Sequence, residues 1–278
     1  MVGIDGIRLD VADELSDLMI ERILIAIQRN KLDGFLFGEQ WDNPMRRNRG
    51  FLKSGKGMHS VMDYLLIDSL IGYFNYQDAK KLGDILNEIF TEYPKDTIDT
   101  LMQPTSTHDI SRAIELFATN SFNPRKGHNW DLDCGNASDF VRNHQLTTEE
   151  YEFGKKKFKS YAVALAFLPG IFSIFYGDEV GLQGIHNLAN RAPFPWGRED
   201  VELQAYFRKM LSVRTQNEFL RTAECKIKKI SKEHFVYERI DKQELLPVER
   251  IMKPCYTFQQ ITKMQKFFFA LESRQIGK

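Results

Sequence analysis

The sequence predicts an α/β fold built on a parallel sheet, and two observations carry that expectation. Strand-like segments and amphipathic helices alternate across residues 1–217, the order that builds parallel sheets with helices packed on them. The run GFLFGEQW, residues 34–41, is short, apolar and bounded by glycine, as a strand covered on both faces requires. With 278 residues, 42% hydrophobic and 27% charged, the chain can fill a sizeable core, in one large domain or one and a fraction.

Taken in order, GIDGIRLDVADE, residues 3–14, sets Ile4, Ile7, Leu9 and Val11 as a buried strand would, with Arg8 and Asp10 charged inside it. Residues 13–30 line Ile20, Ile23, Leu24 and Ile27 along one helical face, and residues 34–41 are the next strand. Residues 59–74 read as a strand continuing into a helix, and residues 78–94 as a helix with Leu82, Ile85, Leu86 and Ile89 in one stripe. Residues 100–112, TLMQPTSTHDISR, read as a strand that turns polar near its end. Residues 120–150 are a long polar excursion, expected to be a lid or insertion. A helix over 155–169, a strand over 170–179 and a helix through Leu203, Tyr206, Phe207 and Met210 complete the alternation. Residues 222–240 then alternate like two antiparallel strands, whereas residues 241–278 show no hairpin spacing.

Charge narrows the partners. The 38 basic and 38 acidic residues cancel, so no net field draws the chain to nucleic acid or an acidic membrane, and a neutral partner is expected. No segment reaches the roughly 18 to 20 apolar residues of a membrane span. Cys134, Cys225 and Cys255 lie far apart without metal-type or disulfide spacing, which favours a reducing, cytoplasmic setting.

Three carboxylates are expected at strand ends. Strand side chains alternate, so Gly6, Arg8 and Asp10 share one face, and a polar residue at the carboxyl end of a parallel strand faces the substrate mouth. Glu39 ends the next strand, and Asp109, preceded by His108, ends a third. Three acids on one rim suit glycosidic-bond chemistry. One carboxylate attacks the anomeric carbon, a protonated one supplies the leaving oxygen, and a third stabilises the cationic transition state. Arg8 beside Asp10 favours the charged carboxylate. Taken singly, each acid has a plainer reading: Asp10 in a structural ion pair that caps the next helix, Glu39 as a solvated loop acid, and Asp109 as the N-cap of the helix that follows. Their coincidence at successive strand ends favours the functional set.

At these residues the chain resembles the α-amylase family of glycoside hydrolases, retaining (β/α)8 barrel enzymes. GIRLDVADE looks like the family's nucleophile motif, LFGEQWD its acid/base motif, and STHDISR its His-Asp motif, with Ser106 and Thr107 where Asn is frequent. FYGDEVGL, residues 175–182, resembles the final barrel strand and its loop, and NRAPFPW the segment that follows in the neopullulanase, cyclomaltodextrinase and oligosaccharide-active branch. The resemblance covers about residues 1–240. It implies Asp10 as nucleophile with Arg8 as its partner, Glu39 as acid/base, Asp109 as transition-state stabiliser and His108 as a sugar-hydroxyl ligand; Arg8, His108 and Trp41 are expected to be substrate-binding residues. It implies an α-glucan or maltooligosaccharide substrate; calcium is common among relatives and allowed in the complete enzyme, but no cofactor or metal is expected in this chain.

The family barrel opens with three βα units before the nucleophile strand, and here Met1 stands almost on that strand. The expectation is an incomplete (β/α)8 barrel, about strands 4–8, over residues 1–218, followed by the start of a C-terminal β-sandwich and an irregular tail over 219–278. Such a piece is expected to show little activity alone and to associate through its open sheet edges. The match DFVRNH, Asp139 to His144, to a further family motif falls after Asp109 and inside the polar excursion, so it is read as chance. A second functional expectation is a non-catalytic carbohydrate- or protein-binding descendant, with Trp41, Phe194 and Trp196 stacking on sugar rings.

Overall fold

The computed structural model of the chain describes residues 3–45, 52, 57–118, 143–185, 188–241 and 266–272. Five strands, β1 (Gly6–Leu9), β2 (Phe35–Gln40), β3 (Ser60–Asp63), β4 (Met102–Pro104) and β5 (Ile171–Ser173), pair in chain order as one parallel sheet. Among the described residues β1 and β5 each have one strand neighbour. Ile7 pairs with Leu36, Leu9 with Gly38, and Gly38 with Val61, which turns the apolar set Ile7, Leu9, Leu36 and Val61 to one side of the sheet. The helices cover that side. The opposite face carries Arg8, Phe37 and Glu39.

The helices begin where short polar side chains meet apolar periodicity. Ser16 accepts from the Met19 amide and starts α1 (Asp17–Asn30), which buries Ile20 and Leu24 and half-buries Ile23 and Ile27. Full burial of one such side chain contributes about 1.5–3 kcal/mol. Asp63, the last residue of β3, accepts from the Leu66 amide at 3.2 Å, so strand and helix α2 (Tyr64–Tyr76) join without a loop. Gln77, in the left-handed region with φ 55°, ends α2, and Asp78 caps α3 (Ala79–Glu92). The short helices α4 (Lys95–Thr100) and α5 (Ala113–Ala118) flank β4. Thr147 and Glu150 form a capping box at the head of α6 (Thr148–Phe167), and Asp200 caps α7 (Val201–Gln216), which buries Leu203, Phe207 and Met210. Among the described residues no helix is long and apolar enough to cross a membrane.

Strands β6 (Glu224–Ile230), β7 (His234–Ile240) and β8 (Lys266–Glu272) form a separate antiparallel sheet. It is tied to the first layer by two buried side chains. Tyr237 donates to the Ala164 carbonyl at 2.8 Å, and Arg239 donates to the carbonyls of Phe167, Leu220 and Ala223 at 2.8–3.0 Å.

The structure departs from the sequence expectations in several places: Ile4 and Val11 lie outside β1 and are exposed, and the strand expected over 170–179 is only Ile171–Ser173. Asp109 does not end a strand: β4 stops at Pro104 and Asp109 lies in the loop beyond it. The strands that precede the acids are not successive either, because β3 runs between β2 and β4. Residues 266–272 of the tail pair with β7, in register from His234–Glu272 to Ile240–Lys266, although KFFFALE lacks the alternation of a half-buried strand. Most of the polar excursion, and residues 139–142 of the rejected motif, lie outside the described residues.

Candidate active site

Register brings the first two acids level. Leu9 pairs with Gly38, so Asp10 and Glu39 occupy the next position on adjoining strands, on the same face as Arg8. Arg8 joins them: its Nη1 pairs with Asp10, and its Nη2 lies 3.1 Å from Glu39 Oε2. Asp10 is 71% exposed and Glu39 only 6%. One carboxylate is open to an incoming molecule and the other is walled by protein.

Glu39 is held on both oxygens. Oε2 also accepts from the Val11 amide at 3.1 Å, and Oε1 accepts from Trp41 Nε1 at 3.2 Å. The Val11 amide reaches it because Val11 is left-handed, φ 45° and ψ 50°, a conformation rare for a β-branched residue. Strain of this kind collects where a loop must aim a group. Gly38 makes room beneath: a Cβ there would stand 2.7 Å from Ala12 Cβ, so glycine lets the turn after Asp10 lie directly against β2.

Trp41 stacks on Tyr64 with centroids 3.9 Å apart and planes at 12°. The Tyr64 hydroxyl donates to Thr107 Oγ1 at 3.0 Å, and the same oxygen accepts from the Asp109 amide at 3.1 Å. Burial, and then the charges of Glu39 and Asp109, hold the Tyr64 phenol above its ordinary range, against the pull of the Thr107 hydrogen bond and Arg8. Tyr64 thus stands within the fields of both carboxylates. The Asp109 carboxylate, 22% exposed, lies 3.0 Å from His108 Nε2 and 3.3 Å from Arg191 Nη2.

The six residues singled out in the sequence therefore form one connected group: Asp10, Arg8, Glu39 and Trp41 directly, then Asp109 and His108 through Tyr64 and Thr107. The plainer readings fit only in part. Glu39 is buried in β2 and not a solvated loop acid, and α5 starts at Ala113 and not at Asp109; Asp10 does form the ion pair with Arg8, but the turn after it has no side-chain cap. Sequence reasoning missed Tyr64 altogether, and missed the contacts of Thr107, Asn190 and Arg191, which stand in the segments STHDISR and NRAPFPW. Tyr64 reads as one apolar residue in a helix, and the other three act on partners far away in the chain. Among the described residues no group of three or more His, Cys, Asp or Glu is placed to hold a metal ion. Chemically, the group offers an open carboxylate, a walled carboxyl on the adjoining strand, and a third acid across an aromatic stack.

No protein-family model matches the chain. It is 30% identical over 235 residues to an amylopullulanase of Thermoanaerobacter thermohydrosulfuricus, covering 80% of the chain and 14% of that protein. It is 25% identical over 253 residues to a cyclomaltodextrinase of a Bacillus species, covering 88% of the chain and 38% of that protein. Among solved structures it superposes on the ligand-free cyclic α-maltosyl-(1→6)-maltose hydrolase from Arthrobacter globiformis with TM-score 0.67 at 19% identity, over 86% of the chain and 46% of the other. A cyclomaltodextrinase gives TM-score 0.66 at 24% identity, over 87% and 36%. These two structures speak to the fold alone. The chain spans well under half the length of the relatives it matches.

Proposed function

The chain belongs to the α-amylase family of glycoside hydrolases, and from that premise we propose that it carries the catalytic acids of a retaining hydrolase or transglycosylase acting on α-glucans such as maltooligosaccharides. Asp10 attacks the anomeric carbon while the bond to the glycosidic oxygen breaks and that oxygen takes a proton from Glu39. Glu39, now a carboxylate, removes a proton from water or a sugar hydroxyl that displaces Asp10 from the glycosyl ester. Asp109 faces the positive charge that builds on the sugar ring, and His108, Arg8 and Trp41 hold the substrate. One observation supports this reading above the others: Asp10 and Glu39 stand level on adjoining strands and differ in surroundings, the first open and the second walled by protein, as unlike roles for two neighbouring acids require.

The same reading takes the five-stranded sheet as strands 4–8 of a (β/α)8 barrel over residues 1–218, and residues 219–278 as part of a C-terminal β domain. The half-exposed Ile171 on β5 and, among the described residues, the single neighbours of β1 and β5 support it, and those edges are where further strands or a second chain would pair. The test is hydrolysis of maltoheptaose by these residues alone and together with polypeptide supplying the remaining strands, with the first product's anomeric form read by NMR. An α product is expected, and Asp10→Asn should lower the rate by at least about 1000-fold. Full rate in that variant would overturn the assignment. A second reading, non-catalytic glycan binding, rests on Trp196, 81% exposed with Phe194 at 4.5 Å. Binding without turnover in the completed protein would favour it.

A further inference from the structure

The loop that carries His108 and Asp109 is held from behind by one buried amide. Asn190, fully buried, points Nδ2 at three main-chain carbonyls, those of His108 and Ile110 at 2.8 Å and Thr107 at 3.4 Å. Its own carbonyl accepts from Arg112 Nε at 2.7 Å, and Arg112 is itself buried against Asp178. Asn190 Oδ1 finds no hydrogen-bond partner among the described residues. Only the donor end of the amide suits this place, because the reverse orientation would set an oxygen against three oxygens. The next residue is Arg191, whose Nε donates to the His108 carbonyl at 3.2 Å and whose Nη2 meets the Asp109 carboxylate. Asn190 therefore sets both the backbone that bears Asp109 and the start of the side chain that grips it.

We propose that Asn190 is a positioning residue for Asp109, acting through the carbonyls of residues 107–110 and not through contact with substrate. The proposal rests on the reading of Asp109 as one of the acids that face the sugar. A net of fixed donors behind a catalytic loop is what holds a reacting group within the narrow geometry that its task demands. An ordinary stabilising residue would leave the carboxylate where it is when removed.

The experiment compares the 278-residue chain with Asn190→Asp, which keeps the shape and removes the donor, by NMR of the Asp109 amide and carboxyl carbon. In a variant that still folds by circular dichroism, both Asp109 signals should move while those of Tyr237, in the other sheet, stay in place. Asp109 signals unchanged in the folded variant overturn the proposal. Should Asn190→Asp fail to fold, Asn190→Ser is read in the same way. In the parent protein the Asn190 side-chain amide protons should exchange at least about 100-fold more slowly than those of a free asparagine. Exchange at the free rate overturns the proposal without any variant. None of these readouts uses turnover, so full activity in Asp10→Asn would sink the functional reading and leave the clamp standing, whereas unmoved Asp109 signals would do the reverse.

Discussion

Arg8 and Glu39 meet across two adjoining parallel strands, with Nη2 of the one 3.1 Å from Oε2 of the other, while the second arm of the same guanidinium pairs with Asp10. A planar fork can serve two carboxylates at once, and a lysine ammonium cannot do so in the same geometry. Arg8→Lys should therefore retain the fold and lose most activity, about 100-fold. Arg8→Ala should in addition destabilise the protein by about 1–3 kcal/mol, because Glu39 would be left with one charged partner fewer in a buried place. Urea unfolding of the chain and maltooligosaccharide turnover of the completed protein measure the two effects separately.

Val11 gives a prediction of opposite sign. A left-handed β-branched residue is strained by roughly 1–2 kcal/mol, which glycine relieves at the expense of a more flexible unfolded chain. Val11→Gly should raise stability by about 0.5–1 kcal/mol while leaving the Val11 amide's contact with Glu39 intact. A lower melting temperature in the variant would show that the conformation is unstrained.

Gly38 should tolerate no side chain. In Gly38→Ala the new methyl would press on Ala12, whose backbone cannot step aside as a long side chain can, and overpacking of this kind costs about 1–3 kcal/mol. The neighbouring Glu39 should shift with the strand, so activity should fall further than stability predicts. Parallel melting and rate measurements on the variant check both.

Asp63 predicts a slope with pH. Burial raises its carboxyl to about 7, above the ordinary 3.8, although its hydrogen bond from the Leu66 amide pulls the other way. A group raised in the folded state stabilises below its unfolded value, and that contribution is lost as pH rises through the folded one. Stability contributed by Asp63 should thus decline between about pH 4 and pH 7. Asp63→Asn keeps an oxygen for the cap and should flatten that part of the curve, as denaturation at pH 5 and pH 8 would reveal.

Much of this was legible in the sequence, for reasons of period. The spacing of Ile20, Ile23, Leu24 and Ile27 marks α1, and the alternation over 222–240 marks β6 and β7, because each element buries one face. Asp10 and Glu39 were legible because a charge inside an apolar run needs a reason. Asp109 was legible by type but not by place: the loop after Pro104 carries no period from which its path can be read. Asn190 and Arg112 stand in the segments NRAPFPW and STHDISR, but their roles were not legible, since one is a common loop residue and the other meets its partners 64 to 78 positions away. The strand 266–272 was missed because a row of three phenylalanines has no alternation to betray it.

Arg239 closes off a simple way of dividing the molecule. Its guanidinium occupies the carbonyls of Phe167, at the end of α6, and of Leu220 and Ala223, in the connection between the two sheets. A scissor cut near residue 218 would part the Phe167 oxygen from its donor, with Leu220 and Ala223 leaving on the Arg239 side, and would uncover the underside of α6 to water. Swapping the C-terminal sheet for another would need a guanidinium returned to the same spot, so the two layers have to be exchanged, engineered or inherited together.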